Sequence, residues 1–133
     1  MTSVVADTHA AIWYLSQSRR LSDTACQAMR QAMASGYPVL VSTISIVEMV
    51  YLTERNRLER SALERLEAVL KDPTGGFKVV PVDYHISRSV EHIARESIPD
   101  MPDRIIAATA LVLGLPLVTC DGRLRQTRIQ TIW

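Results

Sequence analysis

The sequence predicts an α/β protein, with a mainly parallel sheet of about five strands that helices cover on both faces. The first observation is that short apolar runs alternate with helical patterns from one end of the chain to the other. The second is that each run is continuous rather than alternating in polarity, as in strands that are buried on both faces. The runs cover residues 4–6, 39–41, 79–82 and 117–118, with a weaker one at 129–132.

The length and composition indicate one domain that spans residues 1–133. A chain of 133 residues, with 47% apolar and 22% charged residues, has the usual composition of a globular protein. No apolar run reaches the ~18 residues of a membrane span, and no signal-peptide pattern opens the chain, so we expect neither a membrane nor a secreted protein. Cys26 and Cys120 lack a CxxC pattern or a histidine at metal spacing, which favours reduced thiols in a cytoplasmic protein.

The charge of the chain leaves the class of partner open. A net charge of +1 neither indicates nor excludes nucleic acid. Thirteen of the fifteen basic residues are Arg, whose guanidinium suits bidentate contacts with phosphate. The arginine content can equally reflect the base composition of a genome, so it permits an RNA or DNA partner without requiring one.

Capping residues and helix breakers predict where the helices begin and end. We expect one helix from a Ser22 cap to Gly36, one that Ser45 caps, one from a Ser61–Glu64 capping box to Asp72, one over 84–96, and one from Met101 to Gly114. Because strands and helices alternate, the connections between strands must cross over the sheet. Such folds bind ligands at the carboxyl ends of the strands, where the strand order reverses.

Four acidic residues follow the predicted strands or begin helices at that edge. Asp7 directly follows the first apolar run, and Asp121 follows the fourth. Glu48 comes soon after the second run, and Asp103 lies in the first turn of the last long helix. Each of these acids could also have a structural role alone. Asp7 and Asp121 could be turn or cap residues, Glu48 could form a capping box with Ser45, and Asp103 could stabilise the positive end of a helix dipole.

Together, the four carboxylates predict a cation site. Two such charges ~5 Å apart repel by about 3 kcal/mol at an effective dielectric of 20, so several of them need a cation. Oxygen ligands without His or Cys select Mg²⁺ or Mn²⁺, and we expect the nearby His9 to be packed or solvent-facing instead. A metal held by carboxylates suits hydrolysis of a phosphate polyanion. The sequence contains no P-loop, GxGxxG or GxSxG motif for another mechanism.

At these residues the sequence resembles the PIN-domain ribonucleases, and among them the VapC-type toxins of bacterial toxin–antitoxin pairs. The resemblance runs from Val4 to about Arg125. It rests on four segments in order, at 5–13, 42–49, 103–110 and 117–121. Each short segment is weak evidence, but the four in this order and spacing are specific.

The resemblance implies a Mg²⁺- or Mn²⁺-dependent endoribonuclease on a PIN-like three-layer α/β/α sandwich. The family's four catalytic and metal-binding acids fall on Asp7, Glu48, Asp103 and Asp121. Supporting positions fall on Thr8, Asp100 and Thr119, and Asp100 is an alternative to Asp103 as the main metal ligand. The resemblance also implies a homodimer and a small antitoxin partner, with the apolar segments 13–15 and 49–52 as candidates for that interface.

Three functions remain open from the sequence. The leading one is a metal-dependent endoribonuclease that acts as the toxin of such a pair. The second is a DNA nuclease or phosphohydrolase that uses the same carboxylates, and the third is a non-catalytic PIN-like module that only binds a partner or RNA. For an RNA substrate, the candidate contacts are Arg19, Arg20, Arg104, Arg123 and Arg125.

Overall fold

The computed structural model describes residues 2–133, apart from the side chain of Gln126, and within this range it contains five strands and six α-helices. Met1, the first residue of the predicted domain, lies outside the described residues. The strands are β1 (Val4–Ala6), β2 (Val39–Ser42), β3 (Phe77–Val80), β4 (Leu117–Val118) and β5 (Thr131–Ile132). They form one parallel sheet with helices on both faces, so the predicted α/β/α sandwich is confirmed.

The strand order is β3-β2-β1-β4-β5, which puts β1 at the centre. Val5 of β1 lies beside Leu40 of β2 on one side and Leu117 of β4 on the other. The chain therefore moves outward from β1 to β3, and then returns to the opposite side of β1 to form β4. The order reverses between β1 and β4, where a parallel sheet leaves a crevice at its carboxyl edge.

The helices are α1 (Thr8–Leu15), α2 (Asp23–Ala34), α3 (Thr43–Glu54), α4 (Arg60–Lys71), α5 (Tyr84–Ser89) and α6 (Met101–Leu113). Short 3₁₀ segments follow at Val90–His92 and Gly122–Gln126. The sheet separates two apolar clusters: Val4 and Ala6 of β1 pack with α1, α2 and α4, whereas Val5 packs with α6. Among the described helices, none is both long and apolar enough to cross a membrane.

Two helix starts differ in how well the sequence predicted them. The cap of α2 is confirmed, because Ser22 Oγ accepts a hydrogen bond from the Ala25 N–H at 3.0 Å. That helix ends at Ala34, and Gly36 follows with φ +85°, a conformation that favours glycine. The prediction that Ser45 caps the next helix is wrong, because α3 begins at Thr43 and the Ser42 side chain is its cap.

Three further boundaries also differ. The Ser61–Glu64 capping box is wrong, because α4 begins at Arg60 and Glu64 pairs with Arg60 at 3.7 Å. The helix predicted over 84–96 is shorter, since α5 ends at Ser89 and a 3₁₀ turn follows, in which the Val90 carbonyl accepts from the Ile93 N–H at 3.0 Å. The third strand covers 77–80 rather than 79–82, because Pro81 has no N–H for the ladder.

Candidate active site

The four predicted acids come from four different elements around the β1–β4 crevice. Asp7 directly follows β1 and caps α1, with Oδ1 accepting a hydrogen bond from the Ala10 N–H at 2.8 Å. Asp121 comes soon after β4, and its Oδ1 accepts from the Arg123 N–H at 3.0 Å. Glu48 lies in α3, and Asp103 lies in the first turn of α6. The structural role predicted for Asp7 and Asp121 is therefore confirmed, because both side chains accept a cap hydrogen bond after β1 and β4.

Asp103 shows that the structure brings the acids close together. Burial and the negative charges of Asp100, Glu48, Asp121 and Asp7 raise the pKa of the Asp103 carboxyl to about 7. Asp100, the second candidate at this position, is the exposed N-cap of α6 and accepts a hydrogen bond from the Asp103 N–H at 3.2 Å. Both candidates therefore lie at the same helix end, with Asp103 deeper in the site.

Asp7 is linked to Asp121 through Thr119. Burial raises the pKa of the Asp7 carboxyl, and hydrogen bonds from the Thr119 hydroxyl and the Ala10 N–H oppose that rise. Thr119 is itself buried, and its Oγ1 accepts a hydrogen bond from the Asp121 N–H at 3.1 Å. One hydroxyl thus ties the carboxylate after β1 to the backbone of the residue that follows β4.

Glu48 is held from the opposite helix by Thr8. The Thr8 Oγ1 atom lies 2.6 Å from Glu48 Oε1 and 2.9 Å from Ser45 Oγ. Because a hydroxyl has one proton, Thr8 donates to the carboxylate and accepts from Ser45. The predicted capping box of Ser45 and Glu48 is therefore wrong, and the two side chains instead bind α1. Ser45 was predicted as a cap and not as a residue of the site; its place three residues before Glu48, on the same helix face, is the signal that could have indicated the second role.

Arg123 is the basic residue that contacts these acids. Its Nε and Nη2 atoms lie 3.0 Å from Asp121 Oδ1 and 2.8 Å from Asp121 Oδ2, and Nη2 is also 3.9 Å from Asp103 Oδ2. The hydrogen bonds from this guanidinium are the main reason that the pKa of the Asp121 carboxyl lies below its ordinary value. Two of the four acids therefore share one positive charge of the chain.

The donor chemistry of the site fits a hard divalent cation. All four side chains supply carboxylate oxygens, and the pKa values of the Asp7 and Asp103 carboxyls are raised, first by burial and then by neighbouring acids. In the described part of the chain, no three His, Cys, Asp or Glu side chains are grouped so as to hold a metal ion. The Arg123 guanidinium donates hydrogen bonds to both carboxylate oxygens of Asp121, and the Thr8 hydroxyl donates one to Glu48 Oε1. A metal ion would bind all four acids only after these side chains had moved.

The other arginines named in the sequence analysis lie elsewhere. Arg104 donates through Nε and Nη2 to the carbonyls of Val90 and Ile93, at 2.9 to 3.2 Å, and so fastens the 3₁₀ segment to α6. The Arg20 guanidinium lies 5.9 Å from the centre of the Trp13 ring. Arg19 and Arg125 are exposed.

Of the two candidate interface segments, the one on α3 offers more surface. Val50 and Tyr51 are 39% and 54% exposed, and with Val47, which is 60% exposed, they form an apolar patch on α3. Met49 is buried in the core, and the 13–15 segment is half-buried. His9 is exposed, and its ring lies 5.4 Å from that of Trp13, as expected for a packed or solvent-facing side chain.

The sequence of this chain is similar to those of known proteins. A family model described as "PIN domain" matches residues 4–130. Over 138 aligned residues, the chain is 30% identical to Ribonuclease VapC22 of Mycobacterium tuberculosis (strain ATCC 25618 / H37Rv), and the match covers 100% of both chains.

Solved structures with the same fold include complexes of two proteins. VapBC2 from Rickettsia felis, bound to a promoter DNA fragment, has a TM-score of 0.71 at 12% identity, covering 98% of this chain and 97% of that one. A toxin–antitoxin complex from Klebsiella pneumoniae has a TM-score of 0.58 at 22% identity, covering 94% and 92%. At these identities the likeness shows the fold alone.

Proposed function

Since this chain belongs to the PIN-domain family, we propose that it is an endoribonuclease that hydrolyses RNA phosphodiester bonds with Mg²⁺ or Mn²⁺ at the four-acid site. The observation that best supports the proposal is that Asp7, Glu48 and Asp121 lie close enough to Asp103 for their charges to raise the pKa of its carboxyl. The strand order reverses between β1 and β4, beside Asp7 and Asp121. The printed name of the relative from Mycobacterium tuberculosis, a ribonuclease, supports RNA as the substrate.

The four acids would hold the metal, and the side chains around them orient the acids. A divalent cation bound here supplies charge neutralisation of the phosphate and lowers the pKa of an attacking water. Thr8 donates a hydrogen bond to Oε1 of Glu48, and Oε2 would be the oxygen that binds the metal or accepts a proton from an attacking water. Thr119 holds Asp7 against β4, and the burial of both residues limits the access of bulk solvent to that side of the site. Arg123, the candidate arginine nearest the acids, would hold the RNA strand together with the exposed Arg19, Arg20 and Arg125. Arg104 is the weakest of the five candidates, because its N–H groups are already bound to the Val90 and Ile93 carbonyls.

We propose an antitoxin partner and a homodimer for the same protein. The solved relative from Klebsiella pneumoniae is described as a toxin–antitoxin complex, which supports a small protein partner for this chain. The exposed apolar patch of Val47, Val50 and Tyr51 on α3 is a surface that such a partner or a second copy would cover. Gel filtration with light scattering on the purified chain tests the dimer directly.

Asp7→Asn is the variant that tests the proposed activity. The substitution removes a ligand charge but keeps the cap of α1, because an Asn side chain also accepts the hydrogen bond from the Ala10 N–H. We therefore expect folding to persist and Mn²⁺-dependent RNA cleavage to be abolished. The assay follows cleavage of RNA, single-stranded DNA and a small phosphate ester side by side, so that it also separates a ribonuclease from a DNA nuclease or phosphohydrolase.

Asp83→Asn is the matched control for that experiment. Asp83 caps α5 just as Asp7 caps α1, with Oδ1 accepting from the Ile86 N–H at 2.8 Å. This control loses the same charge at the same kind of helix position and should keep full cleavage. Metal-dependent cleavage by Asp7→Asn at the rate of the wild type contradicts the assignment of the site. Binding of RNA without any cleavage by the wild type would favour the non-catalytic alternative.

A further inference from the structure

Arg123 occupies both carboxylate oxygens of a residue that the proposed function assigns to the metal. Nε is 3.0 Å from Asp121 Oδ1, and Nη2 is 2.8 Å from Oδ2, which is the bidentate geometry in which guanidinium and carboxylate pair best. The same Nη2 is 3.9 Å from Asp103 Oδ2. A divalent cation that took Asp121 as a ligand would therefore compete with this guanidinium for the same oxygens.

The surroundings of Arg123 allow it to leave. Its side chain is 51% exposed, and it projects from the 3₁₀ segment Gly122–Gln126 just after Asp121. Arg104, which follows Asp103 in the sequence, is not an equivalent candidate, because the carbonyls of Val90 and Ile93 already accept its N–H groups. Arg123 is thus the arginine whose hydrogen bonds at the site are made to the acids themselves.

We infer that Arg123 exchanges between two anions: it binds Asp121 when no metal is present, and it binds an RNA phosphate once a divalent cation has taken Asp121. A phosphate offers the guanidinium fork the same paired oxygens as a carboxylate, and the short distance from Asp121 keeps the released group beside the metal site. This inference rests on the proposed function. It makes Arg123 a competitor of the metal and a ligand of the substrate, two roles with opposite effects on binding.

The first test measures Mn²⁺ binding to the full chain without RNA, by isothermal titration calorimetry. We expect Arg123→Ala to bind Mn²⁺ about two- to five-fold more tightly than the wild type, the range set by the strength of exposed ion pairs. Arg123→Lys keeps the charge without the bidentate fork and should fall between the two. The matched control is Arg60→Ala, which breaks the exposed Arg60–Glu64 pair on α4 and removes the same charge.

The second test measures cleavage of an unstructured RNA oligonucleotide at saturating Mn²⁺. Loss of a hydrogen-bonded, charged contact to phosphate should raise the KM of Arg123→Ala about tenfold. The kcat should stay within about twofold, because a contact made equally in the ground and transition states changes KM alone. Arg123→Lys should recover part of the KM, whereas Arg60→Ala should match the wild type in both assays.

The outcomes separate this inference from the proposed function. Unchanged or weaker Mn²⁺ binding by Arg123→Ala overturns the inferred competition between Arg123 and the metal. An unchanged KM overturns the inferred contact between Arg123 and an RNA phosphate. If the wild type binds Mn²⁺ and cleaves RNA, either result leaves the proposed function intact. A folded wild type that binds no Mn²⁺, and behaves like Asp7→Asn, overturns the proposed function and this inference together. Thermal unfolding of each variant without metal confirms that the comparison is made between folded proteins.

Discussion

Asp103 carries much of the electrostatic cost of bringing the acids together. Its pKa is raised to about 7, from an ordinary value of 3.8, by burial and by four acidic neighbours. A carboxyl whose pKa is higher in the folded state than in the unfolded state stabilises the folded protein fully while the pH is below the unfolded-state pKa. This stabilisation is lost as the pH rises through the folded-state pKa. The metal-free protein should therefore lose stability between about pH 4 and pH 7 because of this residue.

Asp103→Asn should remove that pH dependence. In buffer with EDTA, we expect the variant to have a higher Tm than the wild type at about pH 8, and nearly the same Tm at about pH 4, where the wild-type carboxyl is protonated in the folded protein. Saturating Mn²⁺ should reverse the order at the higher pH, because only the wild type keeps all four ligands. Thermal unfolding followed by circular dichroism measures all these values. An equal gain at both pH values would assign the effect to packing rather than to charge.

Thr8 is a second residue whose role can be isolated. Thr8→Val keeps the shape of the side chain but leaves Glu48 Oε1 and the buried Ser45 hydroxyl without their shared partner. We expect a loss of about 1–3 kcal/mol in the free energy of unfolding, together with weaker Mn²⁺ binding. Thr8→Ser keeps the hydroxyl and should recover most of both losses. Urea unfolding and calorimetry provide the measurements, and a Thr8→Val variant that binds Mn²⁺ normally would show that Glu48 needs no such support.

At the scale of the helices and strands, the sequence predicted which elements exist better than where they begin. The helix cap at Ser22 was predictable because the hydrogen bond from Ala25 is local. The cap of α3 was not predictable, because Ser42 and Ser45 can each cap a helix and the choice between them depends on where β2 ends. That end depends on the pairing of Ser42 with Val80 of β3, which lies far along the chain. Non-local pairing of this kind leaves no trace in the local pattern.

The two capping serines provide a direct check at this scale. Ser22→Ala removes a hydrogen bond to the Ala25 N–H, and we expect it to lower the free energy of unfolding by about 0.5–2 kcal/mol. Ser61→Ala should change it by less than about 0.5 kcal/mol, because Ser61 lies inside the first turn of α4 and does not cap it. Urea unfolding compares the two variants. A large decrease in the free energy of unfolding of Ser61→Ala would mean that Ser61 caps α4, contrary to the structure.

For the whole molecule, the strand order decides which parts of the site meet. The sequence predicted Asp7 and Asp121 at one edge, because parallel strands end on the same side of a sheet. It did not predict that Thr8 binds Glu48, because that contact joins two separate helices, or that Arg123 binds Asp121, because this local pair depends on the side-chain conformation within one turn. Glu48 belongs to the part of the chain that builds β2 and β3, whereas Asp103 and Asp121 come with β4 on the other side of β1.

A metal ion that joins these parts should stabilise the whole fold. At a free Mn²⁺ concentration about 100 times its Kd, we expect the wild type to gain about 2.7 kcal/mol in the free energy of unfolding, and removal of the metal with EDTA should reverse the gain. Asp7→Asn should gain far less, since it lacks the proposed ligand that follows the central strand. Urea titrations with and without Mn²⁺ supply the comparison. Equal stabilisation of the two proteins would mean that the ion binds elsewhere.

The central place of β1 also has a consequence for biosynthesis. Translation delivers Asp7 and Glu48 early, next to β1 and in α3, but Asp103 and Asp121 are absent until α6 and β4 have been made. A nascent chain on the ribosome therefore carries half of an acidic pocket for most of its synthesis. Proteolytic fragments cut between β3 and α6 also lack Asp103 and Asp121, so all four acids are present only in copies whose translation has passed Asp121.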